Sequence, residues 1–333
     1  MKKLTVIMPV YNGEKYLKEA INSVLNQTFT LFDLLILNDN SSDATASILE
    51  EYSKKDDRIV VVTKTSNVGP ANLRNEGIEK AETPFIALLD ADDIALPSRF
   101  EKQIQLLEAD NELALCGTWF TIFGDKKEKI IKHAVEHADL KIQFLHSCGI
   151  GNSTVMFRKS ALKELRFEHK YVPAEDYGLW SEFIANSKFC NIPESLVRYR
   201  WHPENISQTK KENLRIAEVA IKKRQLTHLG IDANSENAIY FVNAVCLKRK
   251  QSTDDIRKTI SASYELLEKN ESIQFYKQNI LQKHIERTIL RTIRNAKNND
   301  FSFYKHLKNN EKELFQKISN LDKTILLLKS FIG

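Results

Sequence analysis

Three carboxylates stand within four positions at the end of an apolar run. The run covers residues 85–89, and Asp90, Asp92 and Asp93 follow it directly. Carboxylates packed this closely repel one another unless a cation or hydrogen-bond donors balance them. The pattern therefore predicts a ligand site in which a cation or hydrogen-bond donors balance these charges. The alternative is that Asp92 or Asp93 only caps a helix that begins near Pro97.

A second acidic pair, Glu175 and Asp176, enters an apolar and aromatic segment just after Pro173. Apolar walls raise the pKa of a carboxyl group, which suits a general base. The alternative is a helix N-cap or first turn, where the helix dipole stabilises negative charge. His202 follows an Arg-Tyr-Arg sequence further on. A single histidine in such a place is more often structural than a metal ligand, and both interpretations stay open.

Strands and helices alternate over the first third of the chain and must position the acidic groups. The predicted strands, with helices between them, are 4–9, 34–37, 59–63 and 85–89. This alternation is typical of an α/β protein with right-handed crossovers and a mostly parallel sheet. Ligands bind where the strands of such a sheet end. Asp39 follows the second strand and is expected at that edge beside Asp90 and Asp92.

The glycine pattern excludes two common nucleotide sites. No G-x-G-x-x-G follows the first strand, and no G-x-x-x-x-G-K-[ST] occurs in the chain. Carboxylates do not hold a phosphate unless a divalent metal lies between them. A metal-bridged diphosphate is therefore the simpler interpretation of the acidic edge.

A loop of small residues, 149–154, precedes a predicted strand at 155–157. Such a loop lets a substrate approach the backbone closely, although a plain turn fits the same residues. We keep both interpretations of this loop.

The chain changes character near residue 205. Residues 211–333 carry 23 Lys and Arg against 14 Asp and Glu, so the basic excess of the chain lies there. One helical face, holding Lys283, Arg287, Arg291 and Arg294, is either a solvated face or a surface for anionic lipid. No nucleic-acid recognition motif accompanies it, and no nucleic-acid partner is expected. The predicted helices of this region are 212–229, 254–268, 273–294 and about 303–331.

Composition and cysteine usage indicate a cytoplasmic protein. The four cysteines have no paired spacing, which predicts neither a disulfide framework nor a zinc site. Residues 1–8 look superficially like a secretion signal, but the short apolar run stops at Pro9 and is interpreted as the first strand. No run reaches the length that spans a bilayer. We expect a cytoplasmic protein, peripheral at most on the inner face of the cytoplasmic membrane.

The chain carries five ordered motifs: Val6–Asn12, Asn38–Asp43, Asn67–Gly69 with Arg74-Asn75, Asp90–Asp93, and Ala174–Tyr177 with Tyr199–His202. In this order they resemble the family-2 glycosyltransferases, inverting enzymes of the GT-A fold. The resemblance implies an α/β GT-A nucleotide-diphospho-sugar transferase domain at 1–208, with a mostly parallel mixed sheet, and a helical basic region at 209–333. Two segments, 90–95 and 174–180, look like bacterial lipooligosaccharide or capsule enzymes that add β-1,3-linked N-acetylhexosamine.

The resemblance also implies roles for individual residues. Asp39 would bind the uracil N3 hydrogen, Asp92 and His202 would hold Mn²⁺ or Mg²⁺, and Asp176 would be the catalytic base. Many members have glycine where this chain has Asn40. This difference is expected to alter the turn after Asp39 without removing the Asp39 carboxylate. The residues implied to bind the nucleotide sugar are Pro9, Tyr11, Asn12, Glu14, Asp39, Arg74, Asp90, Ala91 and Asp92, and the supporting ones are Asp93, Glu175 and Arg200.

The implied activity is metal-dependent, inverting transfer of a hexose or hexosamine, such as N-acetylglucosamine, from a UDP-sugar. The acceptor would be a hydroxyl of a glycan or lipid-linked saccharide in lipooligosaccharide, O-antigen or capsule assembly. A non-catalytic nucleotide-sugar-binding or scaffold subunit is one alternative, and it would not need Asp176. A nucleotidyltransferase is another, but its glycine- and basic-rich loop is replaced here by Tyr11-Asn12-Gly13-Glu14.

Overall fold

The computed structural model describes residues 1–246, 251–296 and 301–329. Internal contacts divide the chain into two compact units, Met1–Glu218 and Val219–Gly333. The sequence predicts a domain boundary between residues 208 and 209. The division by internal contacts falls within a helix, Lys211–Leu226.

One mixed sheet forms the centre of the first unit. Its strands are β1 (Leu4–Val10), β2 (Phe32–Asn38), β3 (Ile59–Thr63), β4 (Phe85–Leu88), β5 (Ile94–Ala95), β6 (Leu113–Gly124), β7 (Lys129–Ile131), β8 (Met156–Arg158) and β9 (Lys188–Trp201). The order across the sheet is β3-β2-β1-β4-β8-β6-β9-β5, and β7 pairs with β6.

The first four strands run parallel to one another, so that their carboxyl ends meet at one edge. β8 then runs antiparallel between β4 and β6, and β9 runs parallel to β6. The predicted α/β class and mixed sheet are confirmed. The polar segments after β1, β2 and β4 lie at the shared edge, as the strand pattern predicted.

Helices flank the sheet in the first unit. They are α1 (Leu17–Leu25), α2 (Thr45–Ser53), α3 (Pro70–Lys80), α4 (Arg99–Ala109), α5 (His137–Gln143), α6 (Lys159–Leu162), α7 (Glu175–Phe183) and α8 (Ile206–Thr209), followed by α9 (Lys211–Leu226). Because helices cover the sheet, inner strands are apolar on both faces. Val6, Met8 and Ile36 on one face, and Ile7 and Leu37 on the other, expose none of their surface.

The second unit is helical, as predicted. Its helices after α9 are α10 (Glu236–Val245), α11 (Thr253–Ile273), α12 (Gln278–Arg294), α13 (Phe301–Asn310), α14 (Lys312–Lys317) and α15 (Asn320–Lys329). α10 was not among the predicted helices. The single segment predicted at 303–331 is three helices, with residues 330 and 331 outside the described part. Phe241, Ile260 and Ile285 bury α10, α11 and α12 against one another.

Each helix in the described part of the chain is too short or too polar to cross a membrane.

Candidate active site

Two adjoining cavities lie at the carboxyl edge of the sheet, within the first unit. The His202 cavity is lined by nine residues predicted for the site: Pro9, Tyr11, Asn12, Asp39, Arg74, Asp90, Ala91, Asp92 and His202. The Asp176 cavity is lined by Arg74, Asp90, Glu175 and Asp176. Arg74 and Asp90 belong to both. The structure therefore brings together side chains that are far apart in the sequence.

Asp39 is held by the loop that begins α3. Its two carboxylate oxygens accept hydrogen bonds from the backbone N–H groups of Val68 (2.7 Å) and Gly69 (2.9 Å). Gly69 has a φ of +83°, a conformation that favours glycine. Each carboxylate oxygen has a second lone pair, so Asp39 keeps acceptor capacity for a donor in the His202 cavity.

The loop after β1 is fastened to the loop after β2. Asn12 Oδ1 accepts from the Ser42 N–H, and the Asn12 N–H donates to Ser41 Oγ, each at 2.9 Å. Glu14 Oε2 accepts from the Ala44 N–H at the start of α2, also at 2.9 Å. The structure thus places the Glu14 carboxylate at a helix end and outside the lining of both cavities, although the sequence analysis grouped it with the nucleotide-sugar residues.

Asn40 adopts a φ of +59° in the turn after β2. Glycine populates this region freely, and asparagine is among the residues that tolerate it. The departure noted in the sequence is therefore compatible with the same turn, and Asp39 keeps its place.

Arg74 joins the two cavities. Its Nη2 lies 2.7 Å from Asp90 Oδ1, and its Nη1 lies 2.6 Å from Glu175 Oε1. Burial alone lowers the pKa of this guanidinium, but Asp90 and Glu175 outweigh burial and raise it. Asn152, with its amide oxygen turned toward Arg74, accepts from Nη2 at 3.2 Å and Nε at 3.3 Å. Arg74 is thus a fixed cation between the acidic groups.

Asp92 and His202 form a pair that faces the His202 cavity. Asp92 Oδ2 lies 3.0 Å from His202 Nε2. Asn205 orients both, because its Oδ1 accepts from the His202 N–H at 2.6 Å and its Nδ2 donates to Asp92 Oδ2 at 3.4 Å. Sequence analysis assigned no role to Asn205, whose function depends on the turn that follows β9.

This pair fits a divalent cation as a partial ligand set. Two ligands of an octahedral ion stand about 3.0 Å apart when each bond is about 2.1 Å, which matches the Asp92–His202 separation. Across the described residues, no group of three or more His, Cys, Asp or Glu side chains is placed to hold a metal. A bound ion would therefore need further ligands, and diphosphate oxygens suit it.

Asp93 supports the site from inside the fold. Its Oδ1 accepts from the Arg200 N–H at 2.8 Å, and its side chain is fully buried. Burial, and then the charges of Asp92 and Asp90, raise its pKa well above the usual value. The cap interpretation is wrong for Asp93, because Ser98 occupies the N-cap position of α4.

Arg200 fastens the acidic loop to its surroundings. Its Nε donates to the Asp92 backbone carbonyl at 2.9 Å, and its guanidinium pairs with Glu19. The same guanidinium lies 4.4 Å from the centre of the Tyr16 ring. Arg200 thus holds the loop in place and is absent from the lining of both cavities.

Asp176 lies in the first turn of α7, directly after the N-cap residue Ala174 and Glu175. Its Oδ1 accepts from the Tyr177 N–H at 2.7 Å. Burial and then the Glu175 charge raise the pKa of Asp176 to about 7, against an opposing effect of Arg74. A carboxyl group with this pKa can take up a proton near neutral pH.

A buried polar pair beneath the cavities fixes the loop 151–154. Arg99 Nη2 donates to the carbonyls of Leu88 (3.0 Å) and Val155 (3.1 Å). Gln103 Nε2 donates to the carbonyls of Cys116 (2.7 Å) and Thr154 (2.8 Å). Burial lowers the pKa of Arg99 to about 9. α4 thus ties β4 and β6 to Thr154 and Val155, at the end of a loop that lines the Asp176 cavity.

Comparison with known proteins places this site in a family. Residues 5–166 match the model of Glycosyl transferase family 2. An uncharacterized glycosyltransferase of Haemophilus influenzae is 33% identical over 280 residues, covering 79% of this chain and 85% of that protein. The chain belongs to glycosyltransferase family 2. This family-2 enzyme acts by glycosyl transfer, which favours the transferase prediction over the scaffold and nucleotidyltransferase alternatives.

Two further relatives bear on substrate and fold. The enzyme WfgD of Escherichia coli, named UDP-Glc:alpha-D-GlcNAc-diphosphoundecaprenol beta-1,3-glucosyltransferase, is 30% identical over 258 residues, covering 76% of this chain and 96% of that protein. The structure of Staphylococcus aureus TarS 1-349 with UDP-GlcNAc aligns with a TM-score of 0.54 and 18% identity, covering 87% of this chain and 90% of that one. The family-2 enzyme therefore has the predicted GT-A fold.

Proposed function

We propose that this enzyme transfers a hexose or N-acetylhexosamine from a UDP-sugar to a hydroxyl of a glycan or lipid-linked saccharide, with inversion and with a divalent metal. The observation that carries the proposal is the pair of adjoining cavities: Asp92 and His202 line one, Asp176 lines the other, and Arg74 lies between them. WfgD is named for a UDP-glucose donor and a lipid-diphosphate-linked acceptor, which supports both substrate classes.

The donor nucleotide is assigned to the His202 cavity. Pro9 and Tyr11 offer an apolar and an aromatic surface there, and Tyr11 is 56% exposed. Asp39 accepts the uracil N3 hydrogen, and Asp90 faces the ribose. TarS was crystallised with UDP-GlcNAc on the same fold, which supports a UDP-sugar as donor.

The metal is assigned to Asp92 and His202, which would hold Mn²⁺ or Mg²⁺ together with diphosphate oxygens. When bound, the ion supplies positive charge that stabilises the departing diphosphate. Asn205 keeps the two side chains turned to the cavity. Arg74 keeps Asp90 in place and adds positive charge beside the site.

Asp176 is assigned as the general base. It removes the proton of the acceptor hydroxyl, and the resulting oxygen nucleophile attacks the anomeric carbon on the face opposite UDP. The bond to UDP breaks as the new glycosidic bond forms, so that the anomeric configuration inverts. The proton rests on Asp176, whose pKa of about 7 suits this acceptance and its later release to water.

Asp176→Asn tests the role of Asp176 as general base, and Asp92→Ala tests the role of Asp92 as metal ligand. We expect Asp176→Asn to lower kcat by at least about 10²-fold, on the usual scale for a general base, and to leave UDP affinity intact. Asp92→Ala should remove the increase in UDP affinity that Mn²⁺ gives the unchanged enzyme. Turnover of UDP-sugars and calorimetric UDP titration with Mn²⁺ or EDTA measure these effects.

The matched control is Asp139→Asn, which changes an exposed carboxylate in the first turn of α5. It should leave both turnover and UDP binding unchanged. Normal turnover of Asp176→Asn would refute the base assignment. Equal UDP affinity with Mn²⁺ and EDTA in the unchanged enzyme would refute the metal assignment.

We propose, further, that the basic helices hold the enzyme against anionic lipid on the cytoplasmic face of the membrane. Lys283 and Arg287 are exposed on α12 and support this proposal. Arg291 instead donates to the carbonyls that end α10, and Arg294 pairs with Asp322 at 2.8 Å. The proposal therefore rests on part of the predicted basic face.

A further inference from the structure

The lining of the Asp176 cavity contains a polar and an apolar set of side chains, which we call its polar wall and its apolar wall. The polar wall holds Asp176 and the groups around Arg74, which the proposed transfer uses. The apolar wall is formed by Phe120, Pro173, Val197, Tyr199 and Ile206. The proposed transfer assigns no role to the residues of this wall, and none of them was predicted to bind the acceptor.

The Phe120 ring is the fixed centre of the apolar wall. It contacts the Tyr199 ring edge to face, with centroids 5.9 Å apart and planes at 65°. His133 lies on another side of it at 5.8 Å. Phe120 is nevertheless partly exposed, because it faces the cavity. A ring held in this way offers a rigid apolar surface to a ligand.

Gly151 leaves room for that ring. Its φ of −75° and ψ of 128° suit any residue, so backbone conformation does not explain a glycine at this position. A Cβ there would lie 2.9 Å from Phe120 Cε1 and 3.0 Å from Phe120 Cδ1. Any side chain at 151 would push the ring. The loop itself cannot retreat easily, because Thr154 donates to the Gly151 carbonyl from both N (2.8 Å) and Oγ1 (2.7 Å).

We infer that Phe120, set by Gly151, is the platform on which the acceptor sugar lies, and that the acceptor end unit is a pyranose ring. This inference rests on the proposed function, since it places the acceptor beside Asp176. The C–H bonds on one face of a pyranose make that face apolar, whereas its edge carries hydroxyl groups. A pyranose lying on Phe120 therefore buries its apolar face and turns its edge toward the polar wall that holds Asp176. An acyclic polyol has no such face.

The test measures transfer to an octyl β-D-glucopyranoside, an octyl N-acetylglucosaminide and an acyclic octyl-linked glucitol, with UDP-sugar and Mn²⁺ present. The variants are Phe120→Leu, Phe120→Tyr and Gly151→Ala. We expect Phe120→Leu and Gly151→Ala to raise KM for the pyranosides about tenfold, the usual scale for an aromatic contact with the area it buries. KM for the UDP-sugar should stay within about twofold. Phe120→Tyr keeps the flat ring and should restore KM for the pyranosides.

The matched control is Gly149→Ala, in the same loop. Its Cβ would meet Leu140 Cδ1 at 2.5 Å, and Gly149 is absent from the lining of the Asp176 cavity. It strains the loop without touching the platform and should leave KM for the pyranosides unchanged. A thermal melt of each variant shows whether a loss of binding follows from a loss of folding.

Pyranoside binding is also measured by saturation-transfer NMR in the presence of UDP, so that the test does not depend on turnover. The ring C–H protons should receive the strongest saturation, and Phe120→Leu should weaken it. Equal use of the glucitol, an effect on KM for the UDP-sugar alone, or absence of pyranoside binding would overturn the inference. A different result would show that the proposed function is wrong. In that case Asp176→Asn would keep full turnover, while the Phe120 variants would still alter pyranoside binding.

Discussion

At the scale of single residues, Asp176 experiences opposing electrostatic effects. Burial and the neighbouring Glu175 charge raise its pKa, Arg74 lowers it, and the result is about 7. A general base works only when ionised, so kcat should rise with pH through about 7 and level off above that value. The pH dependence of kcat thus reports the protonation state of one carboxyl group.

Glu175→Gln tests which group controls this pKa. The substitution removes the negative charge beside Asp176 and keeps an amide oxygen that can accept from Arg74 Nη1. With the like charge gone, the pKa of Asp176 should fall, and the rise in kcat should move to lower pH. The pH profile of kcat for both proteins measures the shift. A rise that moves to higher pH, or stays in place, contradicts the electrostatic account.

At the scale of elements, α4 is a support beneath the site. The side-chain amide of Gln103 donates to two backbone carbonyls, that of Cys116 in β6 and that of Thr154 in the loop. Gln103→Leu would remove a donor from each of these buried carbonyls and should lower the free energy of unfolding by about 2 kcal/mol. Urea unfolding measures the loss. Gln105→Leu on the exposed side of α4 is the matched control, and an equal effect of the two substitutions would disprove the support role.

The same elements show what sequence patterns can predict. Continuous apolar runs predicted β1, β2, β3 and β4, and the polar groups at their ends. Burial on both faces leaves this direct trace in β1, β2 and β4, whereas β3 lies at the end of the strand order and buries only Ile59. Arg99 and Gln103 left no such trace, since a polar side chain on a helix is normally assigned to the solvent side. Their burial depends on carbonyls contributed by β4, β6 and the segment from Thr154 to Val155.

Site residues divide in the same way. Asp92, Asp176 and His202 lie within sequence motifs, and the structure places them at the two cavities. In the sequence, nothing distinguishes Phe120 from other apolar strand residues. The pairing of β6 with β9 and the position of Gly151 beside the ring are seen only in the tertiary structure. In the sequence, Asp93 could belong to the ligand site or cap a helix. In the structure its carboxylate accepts from the backbone N–H of Arg200, and Ser98 is the N-cap of α4. Sequence patterns could not predict contacts between residues that are far apart in the sequence.

At the scale of the whole molecule, the basic excess of the C-terminal region predicts attachment to anionic lipid. Lys283→Glu with Arg287→Glu reverses two exposed charges on α12 and should reduce sedimentation with anionic vesicles at low salt. The control, Lys54→Glu with Lys55→Glu, makes the same change of net charge directly after α2 in the first unit. If both double variants sediment alike, or neutral vesicles bind the unchanged protein equally, local attraction through α12 is refuted.

The proposed transfer is a direct displacement of UDP by an acceptor that Asp176 deprotonates. The most direct test is the anomeric configuration of the first product formed from an α-linked UDP-sugar, read by proton NMR before mutarotation when water is the acceptor. A single displacement predicts a β-configured sugar, both in the hydrolysis product and in the glycoside. An α-configured first product would mean retention and would contradict the account.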